Sequence, residues 1–253
     1  MISNKQLKKN SNFVFISTMK KFVHVQTFKK NLFKDLVGIE EQKKILLTNT
    51  KAFLNNKLYN NALLWGSKGM GKSSLIFAVH EYFINLKKKT KLLEILSTDI
   101  IYLPEIIYNL HKFDEKFIIF IDDIVLDTNK EDFRVFKVTV EGSMLSHSNN
   151  IAFYITSNNR HIIKPVMDKN LNDIQIKDQK ANSISLSDRF GLWIGFHKCS
   201  KQQYLKIVEL YANKYKLTLP RKTIEKLAME WSIQKGDFSG RIAFQFITNI
   251  ISN

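Results

Sequence analysis

Five short apolar runs are spaced along the middle of the chain, at residues 62–65, 92–96, 117–121, 151–155 and 192–196. Between several of these runs, apolar residues recur every three or four positions. Short apolar runs predict buried β-strands, whereas a spacing of three and four predicts amphipathic helices. Strands that alternate with helices are typical of a parallel sheet covered on both faces, so the pattern predicts an α/β fold.

The helical spacing marks the segments that join these strands. Helices are predicted just after Gly38, near 75–83, near 104–110 and near 131–145. A polar stretch at 169–185 predicts a loop before the last strand. The first predicted strand, at 62–65, is followed by a glycine-rich loop and then by the helix predicted near 75–83.

The two ends of the chain have different patterns. After Cys199 only helical spacing remains, in three stripes, which predicts a small all-helical lid. Residues 1–33 mix lysines with apolar residues and contain neither Gly nor Pro, so we expect helices there, packed loosely on the rest of the chain. The predicted organisation is a basic N-terminal extension at 1–33, an α/β core at 34–198 and a helical lid at 199–253.

The glycine-rich loop matches the motif G-x-x-x-x-G-K-[ST] at every fixed position. It consists of Gly66, Ser67, Lys68, Gly69, Met70, Gly71, Lys72 and Ser73. In such a loop the backbone N–H groups and the positive end of the following helix bind phosphates, the lysine reaches the outer phosphates and the hydroxyl binds Mg²⁺. The alternative is a glycine turn with a chance lysine. The strand before the loop and the helix after it favour ATP binding.

Two carboxylates, Asp122 and Asp123, follow the buried run at 117–121. The ends of parallel strands lie beside such a phosphate loop, so Asp122 is predicted to hold Mg²⁺ through water. Asp123 is the candidate that orients or deprotonates the attacking water. The alternative is a pair of solvated turn residues. Many ATPases of this type have the longer glutamate at the second position, and Glu141 is a possible substitute base.

With these motifs in this order, the sequence resembles a bacterial AAA+ family of P-loop ATPases of unknown function. The likeness extends over about residues 33–251. It is carried by the stretches at 35–38, 61–66, 71–74, 120–123, 156–158, 185–193 and 239–241. Where the family usually has two arginines and a histidine after Asn158, this chain has Asn159, Arg160 and His161. The resemblance implies an AAA+ P-loop core, a parallel sheet flanked by helices, with a small C-terminal helical lid.

The resemblance also assigns roles to further residues. Asn158, at the end of the strand at 151–155, corresponds to the sensor that orients water against the γ-phosphate. Its alternative role is to cap the strand. Arg189 corresponds to an arginine finger that acts on a neighbour's nucleotide, and its alternative is an ion pair within the chain. Nucleotide contacts in the same chain are implied for Val37, Gly38, Ser74 and Arg241, although an arginine at the start of a helix is also common on a solvated face.

The composition favours a soluble protein. Of the 253 residues, 44% are hydrophobic and 25% are charged. The longest apolar runs are far shorter than the roughly 20 residues that cross a bilayer, and no secretory signal is recognisable, so we expect a cytoplasmic protein without membrane contact. The single cysteine, Cys199, excludes an internal disulfide and argues against redox chemistry.

The charge is strongly basic, with a formal net value of +16. Residues 1–35 contain eight lysines and one aspartate. Such a charge favours an acidic partner, nucleic acid or anionic lipid. The alternative is compositional drift, because the whole chain favours Lys, Asn and Ile.

The sequence is compatible with three functions. The first is an ATPase that forms homo-oligomers, with Arg189 acting in trans, and remodels a client. The second is a nucleic-acid-binding loader or initiator in which ATP is a switch and the basic N-terminus binds phosphates. The third is an interaction protein that uses bound nucleotide as a clamp without hydrolysing it. A small-molecule kinase shares the phosphate loop, but the sensor, finger and lid residues argue against one.

Overall fold

The structure is a computed structural model that describes residues 2–26, 32–127, 130–141, 149–160, 162–163, 186 and 189–252. Within that part of the chain, the strands are β1 (Asn12–Ile16), β2 (Lys21–His24), β3 (Ala62–Gly66), β4 (Thr90–Glu94), β5 (Lys116–Ile121), β6 (Ile151–Ser157) and β7 (Leu192–Phe196). The helices are α1 (Asn4–Lys9), α2 (Leu32–Asp35), α3 (Glu40–Leu54), α4 (Lys72–Asn85), α5 (Leu103–Leu110), α6 (Glu131–Glu141), α7 (Lys201–Lys214), α8 (Arg221–Lys235) and α9 (Gly240–Ser252).

The seven strands form one sheet in the order β2-β1-β4-β5-β6-β3-β7. Every neighbouring pair is parallel except β1 with β2. The carboxyl ends of β3, β5 and β6 therefore meet at one edge of the sheet, which we name the C-terminal edge. The predicted α/β fold with a mainly parallel sheet is confirmed.

Two apolar cores cover the two faces of this sheet. In β5, Ile119 and Ile121 face the core that contains α5 and α6, whereas Ile118 and Phe120 face the core that contains α3 and α4. All four side chains are at most 1% exposed. Burial of each contributes about 1.5–3 kcal/mol to stability, so the central strand that carries the two aspartates is firmly held.

The N-terminal segment differs from the helical expectation. Only Asn4–Lys9 is a helix there, while β1 and β2 form an antiparallel hairpin that extends the sheet beyond β4. Phe13, Phe15 and Phe22 are 1–2% exposed within the main core, so the expectation of loose packing is also wrong. The physical reason is a period-two pattern, with Phe13 and Phe15 pointing to the same face, which favours a strand over a helix.

Three helices form the C-terminal lid, as the sequence predicts. At the start of α7, Ser200 and Gln203 make a reciprocal capping box. The lid has its own apolar core, and inside it the buried Tyr204 hydroxyl donates a hydrogen bond of 3.0 Å to the Ala228 carbonyl.

The predicted loop at 169–185 and the end of the predicted helix at 131–145 lie outside the described residues. None of the described helices combines the length and apolar character that a membrane span requires.

Candidate nucleotide-binding site

A cavity of about 620 Å³ opens at the C-terminal edge, between the phosphate loop, the start of α3 and the lid. Its volume is within the range of ligand-binding pockets in proteins. The predicted site residues that line it are Val37, Lys68, Gly69, Met70, Gly71, Lys72, Ser73, Ser74, Asp122, Asp123, Asn158 and Arg241. Parts of the chain that are far apart in sequence therefore meet around one space.

The loop backbone depends on glycine. Gly66, Gly69 and Gly71 have φ values of 123°, 72° and 91°, which side chains disfavour. A Cβ on Gly66 would lie 2.1 Å from the Phe196 carbonyl oxygen. The Ser67 N–H donates a 2.8 Å hydrogen bond to the same oxygen, which fixes the start of the loop to the end of β7. Because α4 begins at Lys72, the unpaired N–H groups of its first turn are available to an anion.

The Lys72 ammonium lies beneath the loop and is held by three oxygen atoms. It donates hydrogen bonds to the Gly66 carbonyl at 2.7 Å, the Ser67 carbonyl at 2.9 Å and the Asn158 carboxamide oxygen at 3.0 Å. Burial lowers the pKa of Lys72, and the carboxylates of Asp123 and Asp122 act in the opposite direction. The lysine is therefore a positioned donor at the floor of the cavity.

Ser73 and Asp122 bring two oxygen ligands together. The Ser73 hydroxyl donates a 2.6 Å hydrogen bond to Asp122 Oδ1. Mg²⁺ prefers hard oxygen ligands and commonly binds one hydroxyl or carboxylate together with substrate phosphates and water. The pair therefore fits Mg²⁺. Among the described residues there is no cluster of three or more His, Cys, Asp or Glu side chains that could hold a metal by themselves.

Thr156 orients both aspartates, although the sequence analysis did not assign it a role. Its hydroxyl donates a 2.5 Å hydrogen bond to Asp122 Oδ1 and accepts one of 2.8 Å from the Asp123 N–H. The side chain is 1% exposed, on β6 beside β5. The sequence signal for this role is a threonine near the end of an otherwise apolar strand. Its hydrogen-bond partners, however, depend on the pairing of β6 with β5.

Asp123 has an unusual backbone conformation, with φ at 49° in the left-handed region. Its carboxylate accepts a hydrogen bond from the Asn158 side-chain amide, and the oxygen of that amide accepts from Lys72. Asn158 thus bridges the loop lysine and the second aspartate. Its two contacts require the amide nitrogen to face Asp123 and the amide oxygen to face Lys72.

The lid contacts the phosphate loop directly. The Arg241 backbone N–H donates a 3.2 Å hydrogen bond to the Gly69 carbonyl, and the Arg241 side chain lines the cavity. A Cβ on Gly69 would lie 2.9 Å from both Arg241 Cβ and the Ser239 hydroxyl oxygen. The glycine therefore permits close contact between the loop and the start of α9.

The end of the cavity away from the loop lysine is lined mainly by apolar and aromatic side chains from the lid and the α2–α3 connection. Tyr211 and Phe244 pack edge-to-face with ring centroids 5.6 Å apart. An ion pair joins Lys214 of the lid to Asp35 of α2. These residues were not predicted from the sequence. Tyr211 belongs to one of the three helical stripes after Cys199, which were interpreted as the core of the lid.

Three of the residues predicted to bind nucleotide in the same chain do not line the main cavity. Gly38 has φ at 80°, a conformation that favours glycine, and it lies beside the Gln203 side chain of the lid. Gly66 and Ser67 contribute the carbonyl groups that accept hydrogen bonds from Lys72. The side chain of Glu141, the proposed substitute base, lies outside the described residues.

Arg189 lies away from the other site residues. It is exposed, and it precedes β7 at the opposite edge of the sheet, which we name the N-terminal edge. There it borders a separate cavity of about 230 Å³ beside Tyr59 and Asn60. Asp188, its alternative ion-pair partner, is outside the described residues.

Comparison with known proteins gives a family and a fold. The family model described as "Protein of unknown function (DUF815)" matches residues 8–253. No curated protein matches the sequence. Among solved structures, the Thermotoga maritima RuvB Holliday junction branch migration motor has a TM-score of 0.52 and 13% identity, over 87% of this chain and 72% of its own.

Two further structures are similar. A point mutant of Thermotoga maritima RuvB has a TM-score of 0.58 at 16% identity. The replication initiator DnaA, bound to AMPPCP and single-stranded DNA, has a TM-score of 0.56 at 16% identity. Each comparison covers 88% of this chain and 66% of the other, just under two thirds of the longer protein. At these identities the likeness shows the fold alone, which is the AAA+ P-loop fold.

Proposed function

The chain belongs to the DUF815 family of proteins of unknown function, and we propose that it is an AAA+ ATPase that binds and hydrolyses ATP with Mg²⁺. In this proposal the nucleotide state drives assembly of a homo-oligomer and the remodelling of a client. The observation that carries it is the connected set of hydrogen bonds that joins Lys72, Asn158 and Asp123 at the floor of the cavity. A glycine turn with a chance lysine does not require such a network.

The proposed binding mode uses groups that already face the cavity. The N–H groups of the loop and of the first turn of α4 bind the phosphates. Lys72 donates to an outer phosphate by exchanging one of its three protein acceptors for a phosphate oxygen. The Ser73 hydroxyl and the Asp122 carboxylate would hold Mg²⁺, which neutralises phosphate charge when bound. The apolar end, with Tyr211 and Phe244, accepts the base, and Arg241 reaches the phosphates from the lid.

For hydrolysis, Asp123 orients the attacking water and accepts its proton. Its carboxylate lies at the end of β5, and the Asn158 amide fixes one of its oxygens. The other oxygen remains for water. Thr156 is a positioning residue in this scheme, since it fixes the Asp123 backbone and the Asp122 carboxylate while remaining buried.

Arg189 is proposed to act on the nucleotide of a neighbouring protomer. The proposal is supported by its exposed position before β7, at the edge of the sheet opposite its own phosphate loop. A guanidinium supplied in trans stabilises the charge of the transition state, and this effect accelerates other phosphoryl-transfer reactions by roughly 10³- to 10⁵-fold. ATP hydrolysis would then depend on assembly.

The proposal is tested by measuring ATP binding and phosphate release over a range of protein concentrations. Wild-type protein is expected to bind Mg²⁺–ATP and to gain specific activity as its concentration rises. Lys72→Ala should lose binding, Asp123→Asn should bind without phosphate release, and the lid variant Lys226→Ala serves as the control. Equal binding by wild type and Lys72→Ala would contradict the site. Tight binding by wild type without phosphate release at any concentration would support the nucleotide clamp instead.

A further inference from the structure

The basic charge of the chain is concentrated at the N-terminal edge of the sheet, away from the nucleotide cavity. The described segments that lead into the strands at this edge contain ten lysines and Arg189, against only Asp114 and Glu115. These segments are residues 8–11, 51–61, 86–91, 111–116, 149–150 and 189–191. We name this set of connections the basic edge.

The opposite edge provides an internal comparison. The described segments that follow the same six strands contain four basic and four acidic residues, at 17–20, 66–71, 95–102, 122–127, 158–160 and 197–200. Compositional drift toward lysine would enrich both edges, because both consist of exposed connections. The separation of charge within one sheet therefore points to a function of the basic edge.

Direct contacts join the connections of the basic edge into one surface. Lys91, at the start of β4, donates hydrogen bonds to the carbonyls of Leu7 and Asn10, the latter at 2.7 Å, which brings the end of α1 alongside. Lys88 lies 3.4 Å from the carboxamide oxygen of Asn55, in the connection between α3 and β3. The lysines of different segments are therefore neighbours in space.

Most of this charge faces solvent and is not neutralised. Lys87, Lys88 and Lys89 form an exposed run beyond the end of α4, and Lys8 and Lys9 are exposed at the end of α1. Salt bridges with the two acidic residues would leave most of the lysines unpaired. Lysines are also favoured at helix C-termini, and several helices end at the basic edge. A single cation in the last turn is enough to stabilise a helix dipole, so this effect does not account for so many lysines.

We propose that the basic edge binds the phosphate backbone of a nucleic acid. The lysines precede strands in the part of the sheet that runs β1-β4-β5-β6-β3, and with a strand spacing of about 4.8 Å this row of five strands is about 19 Å long. That length corresponds to roughly six base pairs of duplex, so the row suits a linear polyanion better than a single small anion. The surface includes residues of the core, such as Lys87–Lys89, in addition to the N-terminal segment. It does not depend on ATP hydrolysis.

The test is fluorescence anisotropy with a labelled single-stranded oligonucleotide and a labelled duplex, without ATP, over a range of salt concentrations. The edge variant carries Lys87→Glu, Lys88→Glu and Lys89→Glu. The matched control carries Lys206→Glu, Lys222→Glu and Lys226→Glu, three exposed lysines of the lid, and so has the same net charge. Thermal unfolding establishes whether each variant is folded. A variant that is not folded is replaced by one with Lys→Gln at the same three positions.

Wild type and lid control are expected to bind equally, with a steep salt dependence. The edge variant should bind at least tenfold more weakly. The magnitude of the slope of log K against log salt should fall by about 2 to 3, since each of the three lost phosphate contacts lowers it by about 0.7 to 0.9. Equal weakening of both triplets would overturn the proposal, as would no binding by wild type at low salt. Because Leu58 and Leu86 are also exposed here, vesicles with anionic lipid form a second arm. Binding to vesicles but not to oligonucleotides would overturn the proposal too.

Discussion

The Asn158 carboxamide oxygen lies 3.0 Å from the Lys72 ammonium, and it joins the end of β6 to the first residue of α4. The amide of the same side chain donates to Asp123. A single polar side chain therefore connects the residue proposed to bind phosphate with the residue proposed to activate water. A change in the hydrogen bonds of Lys72 would therefore be transmitted to Asp123 through the Asn158 side chain.

Removal of the Thr156 hydroxyl tests the positioning of the two aspartates. Thr156→Val keeps the shape of the side chain but leaves the Asp123 N–H without its buried acceptor, at a cost of about 1–3 kcal/mol in unfolding free energy. We expect ATP turnover to fall roughly ten- to a hundredfold while ATP affinity stays within about threefold. Thr156→Ser, which retains the hydroxyl, should recover most of the turnover. A Thr156→Val protein with wild-type turnover would exclude the positioning role.

Gly69→Ala tests the contact between the phosphate loop and the lid. The substitution adds a Cβ that would lie 2.9 Å from Arg241 and Ser239, at a residue with φ of 72°. Gly236 is a matched control, because it has the same φ but nothing within 4 Å of an added Cβ. Both substitutions should cost about 1–2 kcal/mol through backbone strain. Only Gly69→Ala should also weaken ATP binding, and calorimetry of the two variants measures the difference.

The pH dependence of stability should include a contribution from His80. This side chain is buried in α4, and burial lowers its pKa to about 4, from about 6.5 in the unfolded chain. Because the unfolded state binds more protons between these values, the free energy of unfolding rises with pH across this window. Acidification from pH 7 to pH 5 should cost about 2 kcal/mol at this residue.

Denaturant unfolding of wild type and His80→Gln at several pH values measures this contribution. The variant removes the titrating group and keeps a side chain able to donate toward the Thr90 carbonyl, the partner of His80 at 3.4 Å. Its stability should therefore change less between pH 7 and pH 5 than that of wild type. Parallel pH profiles for the two proteins would show that His80 does not contribute.

The sequence predicted the central strands because their apolar runs are nearly continuous, as expected for strands buried on both faces. The strand predicted at 92–96 lies two residues earlier, at Thr90–Glu94. Lys91 is accommodated there because its ammonium reaches the carbonyls at the end of α1. The N-terminal hairpin was missed because the apolar run at 13–16 is short and β1 pairs with β4, about 80 residues away in sequence.

The candidate site was predictable where one short segment contains the chemistry. The loop at 66–73 and the carboxylates at 122–123 each form a local motif. Thr156, Tyr211 and Phe244 were not predictable in the same way, since their contacts arise only when β6 pairs with β5 and the lid folds against the core. The sequence alone also did not reveal that the lysines separate to one edge of the sheet, which depends on strand order.

The most direct test of the proposed ATPase mixes two inactive variants. Arg189→Ala has an intact cavity but lacks the finger, whereas Asp123→Asn has the finger but lacks the group that activates water. Each variant alone should bind ATP without turnover. In an equal mixture, about one quarter of the sites join an intact cavity to an intact finger, so the mixture should recover up to about a quarter of wild-type turnover. Full activity of Arg189→Ala alone, or an inactive mixture of variants that bind ATP and assemble together, would contradict a site shared between protomers.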